Sequence, residues 1–262
     1  MDGQLSEFQR ALQAGVRQFV QQEVIPSASR FEHADEYPQP LVDRMKELGY
    51  FGAVVPEAYG GAGMDAVSFV ILTEELARGW MSLTGVIGSH SMVAWMVNRF
   101  GNEDQRQEWL PRMARGEMRC GIGITEADGG SDVAALRTSA RREGTAYVVN
   151  GSKMFITNSE QGTHFGVMVR THPGADKPHR GISCLLMGRD LPGFKVSRHL
   201  DKMGYKGIRT GELVFEDCRV PASCLVGEEN RGFQQLMAAL ELGRIQVAAR
   251  ALGITAPASK TP

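Results

Sequence analysis

Apolar positions in the first part of the chain repeat at the spacing of α-helices. From Leu5 to Val24 they recur every three or four residues, which is the spacing of one helical face. Ser6 and Gln9 predict a capping box at the start of this helix. The pattern predicts an all-α domain over residues 1–117, because four more helical segments follow, each ended by a glycine: "PLVDRMKELG", "DAVSFVILTEELARG", "SHSMVAWMVNRFG" and "NEDQRQEWLPRMARG".

Near Met118 the pattern changes to the alternation of β-strands. The segment "AYVVNGSKMFITN" alternates on both sides of Asn150-Gly151, and an Asn-Gly pair is a strong hairpin signal because both residues tolerate positive φ. Strand-like runs continue in "HFGVMVRT", "GISCLLMG", "FKVSRHL" and "GELVFEDCRV". No helical pattern separates these runs, so we expect an antiparallel β-barrel or sandwich over residues 118–222.

Helical spacing returns after Pro221. It runs from Phe233 to Leu252 and predicts the start of a C-terminal helical bundle over residues 223–262. An amphipathic helix gains most of its stability by packing its apolar face, and no later segment of the sequence could cover this one. The predicted fold class is therefore α+β, with an all-α N-terminal domain, an antiparallel β-domain and one helix without its partners.

Composition and charge exclude several classes of protein. The 29 basic and 30 acidic residues nearly cancel, which argues against a nucleic-acid partner. The four cysteines show neither a CxxC pair nor histidines at ligand spacing, so we expect no metal site and no disulfide scaffold. No apolar run is long enough to span a membrane, and the first residues resemble neither a signal nor a transit peptide. We therefore expect a cytoplasmic protein without membrane insertion.

Two predicted strands end in threonine hydroxyls. "ITEADGGSDV" places Thr125 at the end of one strand, and "KMFITNS" places Thr157 beside an aromatic residue at the end of another. The Gly-Gly pair of the first motif is also common in plain tight turns. No dinucleotide fingerprint, P-loop or nucleophile elbow occurs in the sequence. Two polar strand ends next to an aromatic ring suit the polar edge of an isoalloxazine.

At these motifs the chain resembles the acyl-CoA dehydrogenases. The resemblance covers nearly the whole sequence and has the family's order and spacing. The motifs that carry it are "HSMVAWMVNRFGNEDQRQEWLPRMARGE", "ITEADGGSDVAALRT", "YVVNGSKMFITN", "MGYKGIRTGELVFEDCRVP" and "LGRIQVAARALGI".

The resemblance implies an FAD-dependent oxidoreductase of fatty acid metabolism. Such an enzyme removes the α-proton and β-hydride of an acyl-CoA and passes the electrons to an electron-transfer flavoprotein, and it assembles as a homotetramer. The resemblance also implies two sets of binding residues. The flavin residues are Ile122, Gly123, Ile124, Thr125, Gly130, Ser131, Phe155, Ile156 and Thr157, and the substrate residues are Ser131, Glu241 and Arg244.

This sequence departs from the family pattern at three positions. Ala127 replaces a proline, and Phe155 replaces the usual tryptophan and keeps its packing. More important is the catalytic carboxylate, which a subset of the family carries at the position of Gly243 and other members carry at a position beyond Pro262. Glu241 is two residues from Gly243, and that offset turns it by roughly 200° to another helix face. We therefore assign no catalytic residue and expect little dehydrogenase activity.

Two alternatives stay open from the sequence. One is a non-catalytic remnant that binds flavin or acyl-CoA, which the absence of a recognisable base favours. The other is a flavin monooxygenase on the same fold. "GELVFEDCRVP" and "LELGRI" favour the dehydrogenase over the monooxygenase.

Overall fold

The computed structural model describes residues 5–258, in which helices precede a β-sheet and one long helix follows it. The limits of the predicted first and last domains, at residues 1 and 262, lie outside the described residues. The helices are α1 (Glu7–Phe19), α2 (Ile25–Ala34), α3 (Gln39–Glu47), α4 (Ala66–Gly79), α5 (Met81–Phe100), α6 (Glu103–Ala114) and α7 (Gly232–Ala258). The strands are β1 (Cys120–Gly123), β2 (Ser139–Glu143), β3 (Ala146–Thr157), β4 (His164–Arg170), β5 (Ile182–Gly188), β6 (Phe194–His199) and β7 (Thr210–Pro221).

The first helix begins as the sequence predicts. The Ser6 hydroxyl accepts from the Gln9 amide at 3.1 Å, and the Gln9 side chain accepts from the Ser6 amide at 3.0 Å, which confirms the capping box. The helical path continues beyond the predicted end at Val24, through a π-helical turn at Val20–Val24 and into α2. This wider turn lies where Pro26 cannot donate an amide hydrogen bond to the preceding turn.

The strands form one curled sheet in the order β1-β4-β2-β3-β7-β6, with β5 on β4. The α+β fold class is confirmed, but the expectation of purely antiparallel pairing is wrong. β1 pairs with β4 in parallel, from Cys120↔His164 to Gly123↔Val167, and Ser139 pairs in parallel with Arg170. Parallel strands need a long crossover. Here the hairpin of β2 and β3 provides that crossover in place of a helix.

The hairpin predicted at Asn150-Gly151 is also wrong. Both residues lie inside β3, where the register against β7 shifts between Val149 and Gly151. The chain turns instead after β2, where Gly144 has a φ of 59°. The Asn150 side chain donates to Asp217 Oδ1 at 3.0 Å and accepts from the Asp217 amide at 2.8 Å. The Asn-Gly pair thus forms a β-bulge rather than a turn.

β4 and β5 are buried on both faces. Phe165, Val167 and Val169 of β4 enter the core inside the curled sheet, whereas Met168 enters the core shared with α5, α6 and α7. β5 divides in the same way, with Leu185 on the inner face and Cys184 on the helical face. This double burial explains why both strands read as nearly continuous apolar runs.

His90 of α5 is a packed core residue. Its Nδ1 accepts from the Cys120 amide at 3.3 Å, and its Nε2 donates to the Phe51 carbonyl at 3.1 Å. Burial lowers the pKa of His90 to about 4, so the ring is neutral at pH 7. The ring thereby joins α5 to β1 and to the turn that follows α3.

α7 has partners, contrary to the expectation from the sequence. It packs along α4 and α5 through a buried stripe that contains Gly243, Ala249 and Gly253. A Cβ at Gly253 would overlap the Glu74 carbonyl oxygen of α4. Small residues let the helices approach closely, so the earlier helices cover one side of α7.

The remaining surface of α7 keeps apolar side chains in contact with solvent on more than one face. Val247 is 58% exposed and Leu252 is 56% exposed, and Ile245 and Ile254 are also exposed. Apolar residues thus occur on both sides of this helix, which is typical of a helix buried on several faces. Among the described residues, no helix has the length and apolarity needed to cross a membrane.

Gly253→Val tests the close packing of α7 on α4. The new side chain would meet backbone atoms of α4, which cannot rotate away as a side chain end can. We expect the free energy of unfolding to fall by about 1–3 kcal/mol, the usual cost of overpacking. Urea denaturation followed by circular dichroism measures it.

Ala251→Val is the matched control, because Ala251 is an exposed position of the same helix. We expect a change of at most about 0.5 kcal/mol there, from helix propensity alone. Equal losses for the two variants would contradict the described packing.

Candidate functional site

The two threonine-ended segments lie side by side in the fold. The Met154 amide of β3 donates to the Thr125 carbonyl at 2.8 Å, just beyond the end of β1. Glycines in β1 allow β3 to come this close. A Cβ at Gly121 would lie 3.1 Å from the Thr157 carbonyl oxygen, and one at Gly123 would lie 3.2 Å from Lys153 Cγ.

The polar groups of these segments are open to a ligand. Thr125 and Thr157 are half-buried, and the hydroxyl of neither forms a hydrogen bond with another part of the chain between residues 5 and 258. Phe155 stands between them with 62% of its surface exposed and a φ of 60°. A left-handed backbone is costly for an aromatic residue and tends to occur at functional sites. An exposed ring beside two unpaired hydroxyls forms a surface suited to a flat polar ligand.

Of the other residues predicted for this surface, some lie in the hydrophobic cores and some are exposed. Ile156 lies in the sheet core, whereas Ile122 and Ile124 pack against the helical core. Gly130 lies against Thr125, because a Cβ there would be 2.9 Å from Thr125 Cγ2. Ser131 is exposed. The structure therefore gathers these segments, but the isoleucine side chains themselves contribute to packing.

A buried ion pair fixes the loop that follows Thr125. Lys153 Nζ lies 2.7 Å from Glu126 Oε1, and the Lys153 side chain is fully buried. Thr138 donates to the same oxygen through its hydroxyl at 2.6 Å and its amide at 2.9 Å. The Arg137 amide donates to Glu126 Oε2 at 2.6 Å. The carboxylate thus joins the loop, the start of β2 and β3.

The hydrogen bonds determine the charge state of the pair. Burial alone would raise the pKa of Glu126, but hydrogen bonds from Lys153 and Thr138 outweigh it and lower that pKa to about 2. Burial lowers the pKa of Lys153 to about 8, and Glu126 opposes this shift. Both groups are charged at pH 7.

A cavity of about 630 Å³ lies between α5 and α7 and reaches Thr157. Its walls include Met92, Leu240 and Val247, so much of the lining is apolar. Arg244 lines the cavity, whereas Glu241 is exposed and does not. Gly243 also lines it, and a Cβ there would lie 3.0 Å from Met92 Sδ. Of the two predicted substrate residues on α7, the structure therefore brings only Arg244 to the cavity.

Three residues of this region were not predicted from the sequence: Glu126, Lys153 and Tyr205. Glu126 and Lys153 occur in the two motifs that were expected to meet, so their opposite charges were a signal of an ion pair. Tyr205 belongs to the "MGYKGIRT" segment and also lines the cavity. No local pattern marks it, because it reaches α5 only through the tertiary fold.

Glu126→Gln tests the ion pair. It leaves the Lys153 ammonium buried without a counterion, and breaking a buried pair in this way costs about 3–5 kcal/mol. We expect that loss in the free energy of unfolding at pH 7, measured by denaturant titration. Because the folded-state pKa of Glu126, about 2, lies below its ordinary value of 4.5, its contribution is complete above pH 4.5. It is lost as the pH falls through 2, so the two proteins should converge in stability there.

Glu216→Gln is the control. Glu216 pairs with Lys195 at 2.6 Å, but both side chains are more than 60% exposed. We expect a change of at most about 1 kcal/mol, as for surface pairs in general. A loss at Glu126 no greater than at Glu216 would contradict the role given to the buried pair.

Two protein-family models and several known proteins are similar to this chain in sequence. The model for the acyl-CoA dehydrogenase N-terminal domain matches residues 6–117, and the model for the middle domain matches residues 121–218. Mitochondrial isobutyryl-CoA dehydrogenase of Dictyostelium discoideum is 37% identical over 249 residues, covering 95% of this chain and 59% of that protein.

Two solved structures are also similar. Acyl-CoA dehydrogenase of Geobacillus kaustophilus has a TM-score of 0.90 at 38% identity, covering 95% of this chain and 66% of its own. Glutaryl-CoA dehydrogenase of Mycobacterium smegmatis in complex with FADH2 has a TM-score of 0.88 at 32% identity, covering 97% and 64%. The chain thus spans about three fifths to two thirds of the length of these relatives. Because both domain models match and these relatives are more than 30% identical in sequence, the chain belongs to the acyl-CoA dehydrogenase family.

Proposed function

We propose that the protein is an FAD-dependent dehydrogenase that converts an acyl-CoA thioester to its α,β-unsaturated product and passes the electrons to an electron-transfer flavoprotein. One observation carries the proposal. Thr157 lines the cavity between α5 and α7 and lies two residues from the exposed Phe155 on β3. A site for an acyl chain and a site for a flat polar ring thus share an edge.

The residues present fit an isoalloxazine ring. Thr125 and Thr157 offer two unpaired hydroxyls along the contact between β3 and the segment of β1, and Phe155 offers an exposed aromatic face. The ring's polar edge needs hydrogen-bond partners of this kind. The Mycobacterium smegmatis relative binds FADH2. Bound FAD would supply the acceptor for the substrate hydride.

The chain's own residues would orient the substrate and exclude water. The apolar side chains of Met92 and Leu240 would remove water from the acyl chain, which strengthens hydrogen bonds formed inside the cavity. Arg244 lines the cavity and is exposed to solvent, so we assign it to the anionic CoA portion. For Ser131 and Glu241 the support is the family resemblance alone.

The described lining contains no carboxylate to remove the α-proton. Glu241 lies outside the lining, although it is only two residues from Gly243. This observation favours a second candidate function, in which the described chain binds flavin or acyl-CoA without turnover. A substitution at Gly243 can distinguish the two candidate functions, because a carboxylate placed there would enter the cavity.

We also propose a homo-oligomer and a reducing, cytoplasmic location. Exposed apolar residues of α7, with Ile245 and Leu252 on one face, favour association. The four cysteines are free thiols, and Cys120, Cys184 and Cys218 are buried. Unpaired cysteines are typical of a reducing compartment.

Thr157→Val should weaken flavin binding while keeping the side-chain volume. Loss of a hydrogen bond to a polar ring edge costs about 1–3 kcal/mol, so we expect a clear rise in the FAD dissociation constant. Titration of the apoprotein followed by FAD fluorescence measures it.

Thr145→Val is the control for this variant, because Thr145 is exposed in the turn between β2 and β3. It should leave the FAD dissociation constant unchanged. A Thr157→Val protein that binds FAD as tightly as the wild type would remove Thr157 from the site.

Gly243→Glu should increase reduction of the bound flavin by substrate. A carboxylate at this position would enter the cavity, and Met92 can rotate to make room because its flexible end is the nearest group. General-base assistance contributes roughly 10²–10⁴-fold. Anaerobic mixing with saturated acyl-CoAs, followed by bleaching of the flavin band, measures the gain.

Glu241→Gln is the matching control and should leave the bleaching rate unchanged. If Glu241→Gln abolishes bleaching and Gly243→Glu does not raise it, Glu241 is the base and its assignment outside the reaction is wrong.

A further inference from the structure

The cavity between α5 and α7 is lined by an arginine that has no salt-bridge partner among residues 5–258. Arg250 lies on α7 and lines the cavity together with Tyr205 and Gln246. Its Nε atom is buried and has no hydrogen-bond partner in the part of the chain that the structure describes. Within that part, the lining contains two arginines and neither an aspartate nor a glutamate.

The aromatic ring of Tyr205 lies beside the Arg250 guanidinium. The Arg250 guanidinium carbon lies 5.3 Å from the centroid of the Tyr205 ring, and Lys202 Nζ lies 5.0 Å from the same centroid. Lys202 also donates to the carbonyls of Tyr205 and Ile208. Tyr205 adopts a φ of 61° in this loop. The loop therefore holds Tyr205 in a strained but well-supported position beside Arg250.

Two glycines of α5 leave space for the side chains of Tyr205 and Gln246. A Cβ at Gly85 would overlap the Tyr205 hydroxyl, and a Cβ at Gly88 would lie 2.7 Å from Gln246 Nε2. Gln246 is itself buried and donates to the Thr84 carbonyl at 3.3 Å. Polar groups of the loop and of α7 thus occupy space that side chains on α5 would otherwise fill.

Two groups of residues lie at different positions along the cavity. Met92, Leu240 and Arg244 lie around Gly243, whereas Arg250 and Tyr205 lie about two helical turns further along α7. Gly243 and Arg250 are separated by seven residues, which corresponds to about 10 Å along a helix. That distance leaves room for a short acyl chain between them.

A buried guanidinium N–H without an acceptor is unfavourable, and a bound anion would supply that acceptor. Because the described lining supplies no carboxylate, the anion would come from the ligand. We propose that the substrate is an acyl-CoA with a carboxylate at the far end of its acyl chain, and that Arg250 and Tyr205 bind this carboxylate. The inference rests on the proposed acyl-CoA site and specifies its substrate class.

Binding of matched acyl-CoA pairs to the FAD-loaded protein tests the inference. Glutaryl-CoA is compared with valeryl-CoA, and adipyl-CoA with hexanoyl-CoA, by isothermal titration calorimetry. Each pair differs only in the terminal group. We expect the dicarboxylic member to bind roughly ten- to hundredfold more tightly, as for hydrogen bonds to a charged group.

Arg250→Gln should bring the dissociation constants of the two members of each pair to within about threefold of each other, since it removes the charged hydrogen bonds to the terminal carboxylate. Arg250→Lys keeps the charge and should keep part of the preference. Arg231→Gln is the control, because it removes one positive charge just before α7 and outside this cavity.

The wild-type measurement decides the inference even if a variant fails to fold. Equal binding within each pair, or tighter binding of the monocarboxylic member, would overturn the inference and leave the proposed function standing. A preference that survives in a folded Arg250→Gln protein would also overturn it. Binding of neither member would reject the proposed acyl-CoA site and the inference together.

Discussion

The ion pair between Lys153 and Glu126 is the interaction on which the geometry of the site depends. A charged lysine inside a protein is tolerated only when a counterion and hydrogen-bond partners surround it. Here Lys153 donates to the Glu126 carboxylate and the Ile124 carbonyl, both after β1. The same carboxylate accepts from Arg137 and Thr138 just before β2, so the pair holds three segments at fixed positions. The same contacts align Thr125 with Met154. The open edge formed by Thr125, Phe155 and Thr157 is therefore supported from behind by a charged network.

Three glycines determine the shape of the cavity between α5 and α7. Gly85, Gly88 and Gly243 leave space between α5 and α7, and Tyr205, Gln246 and Met92 fill part of it from other elements. The remaining volume has an apolar part and a polar part. Substitutions at the glycines would thus change the cavity as much as substitutions at the groups that face a ligand.

The sequence predicted local structure well, since caps, glycine stops and alternation are local signals. The Ser6 capping box, the helix ends at Gly79 and near Gly101, and the two threonine-ended segments are examples. Interactions between distant segments were harder to predict. The parallel pairing of β1 with β4 and the packing of α7 on α4 depend on which elements meet, and the small residues of α7 give no strong amphipathic pattern. The Asn150-Gly151 pair misled because its conformational freedom serves a bulge as readily as a turn.

The double burial of β4 links the two halves of the molecule. Alternate side chains of this strand enter the sheet core and the core shared with the helices, and β1, β2 and β5 all pair with it. Opening β4 would expose both cores at once, so the sheet and the surrounding helices should unfold as one cooperative unit. Its amide hydrogens would then exchange with solvent only through global unfolding, and the two matched domains would be inseparable in a thermal transition.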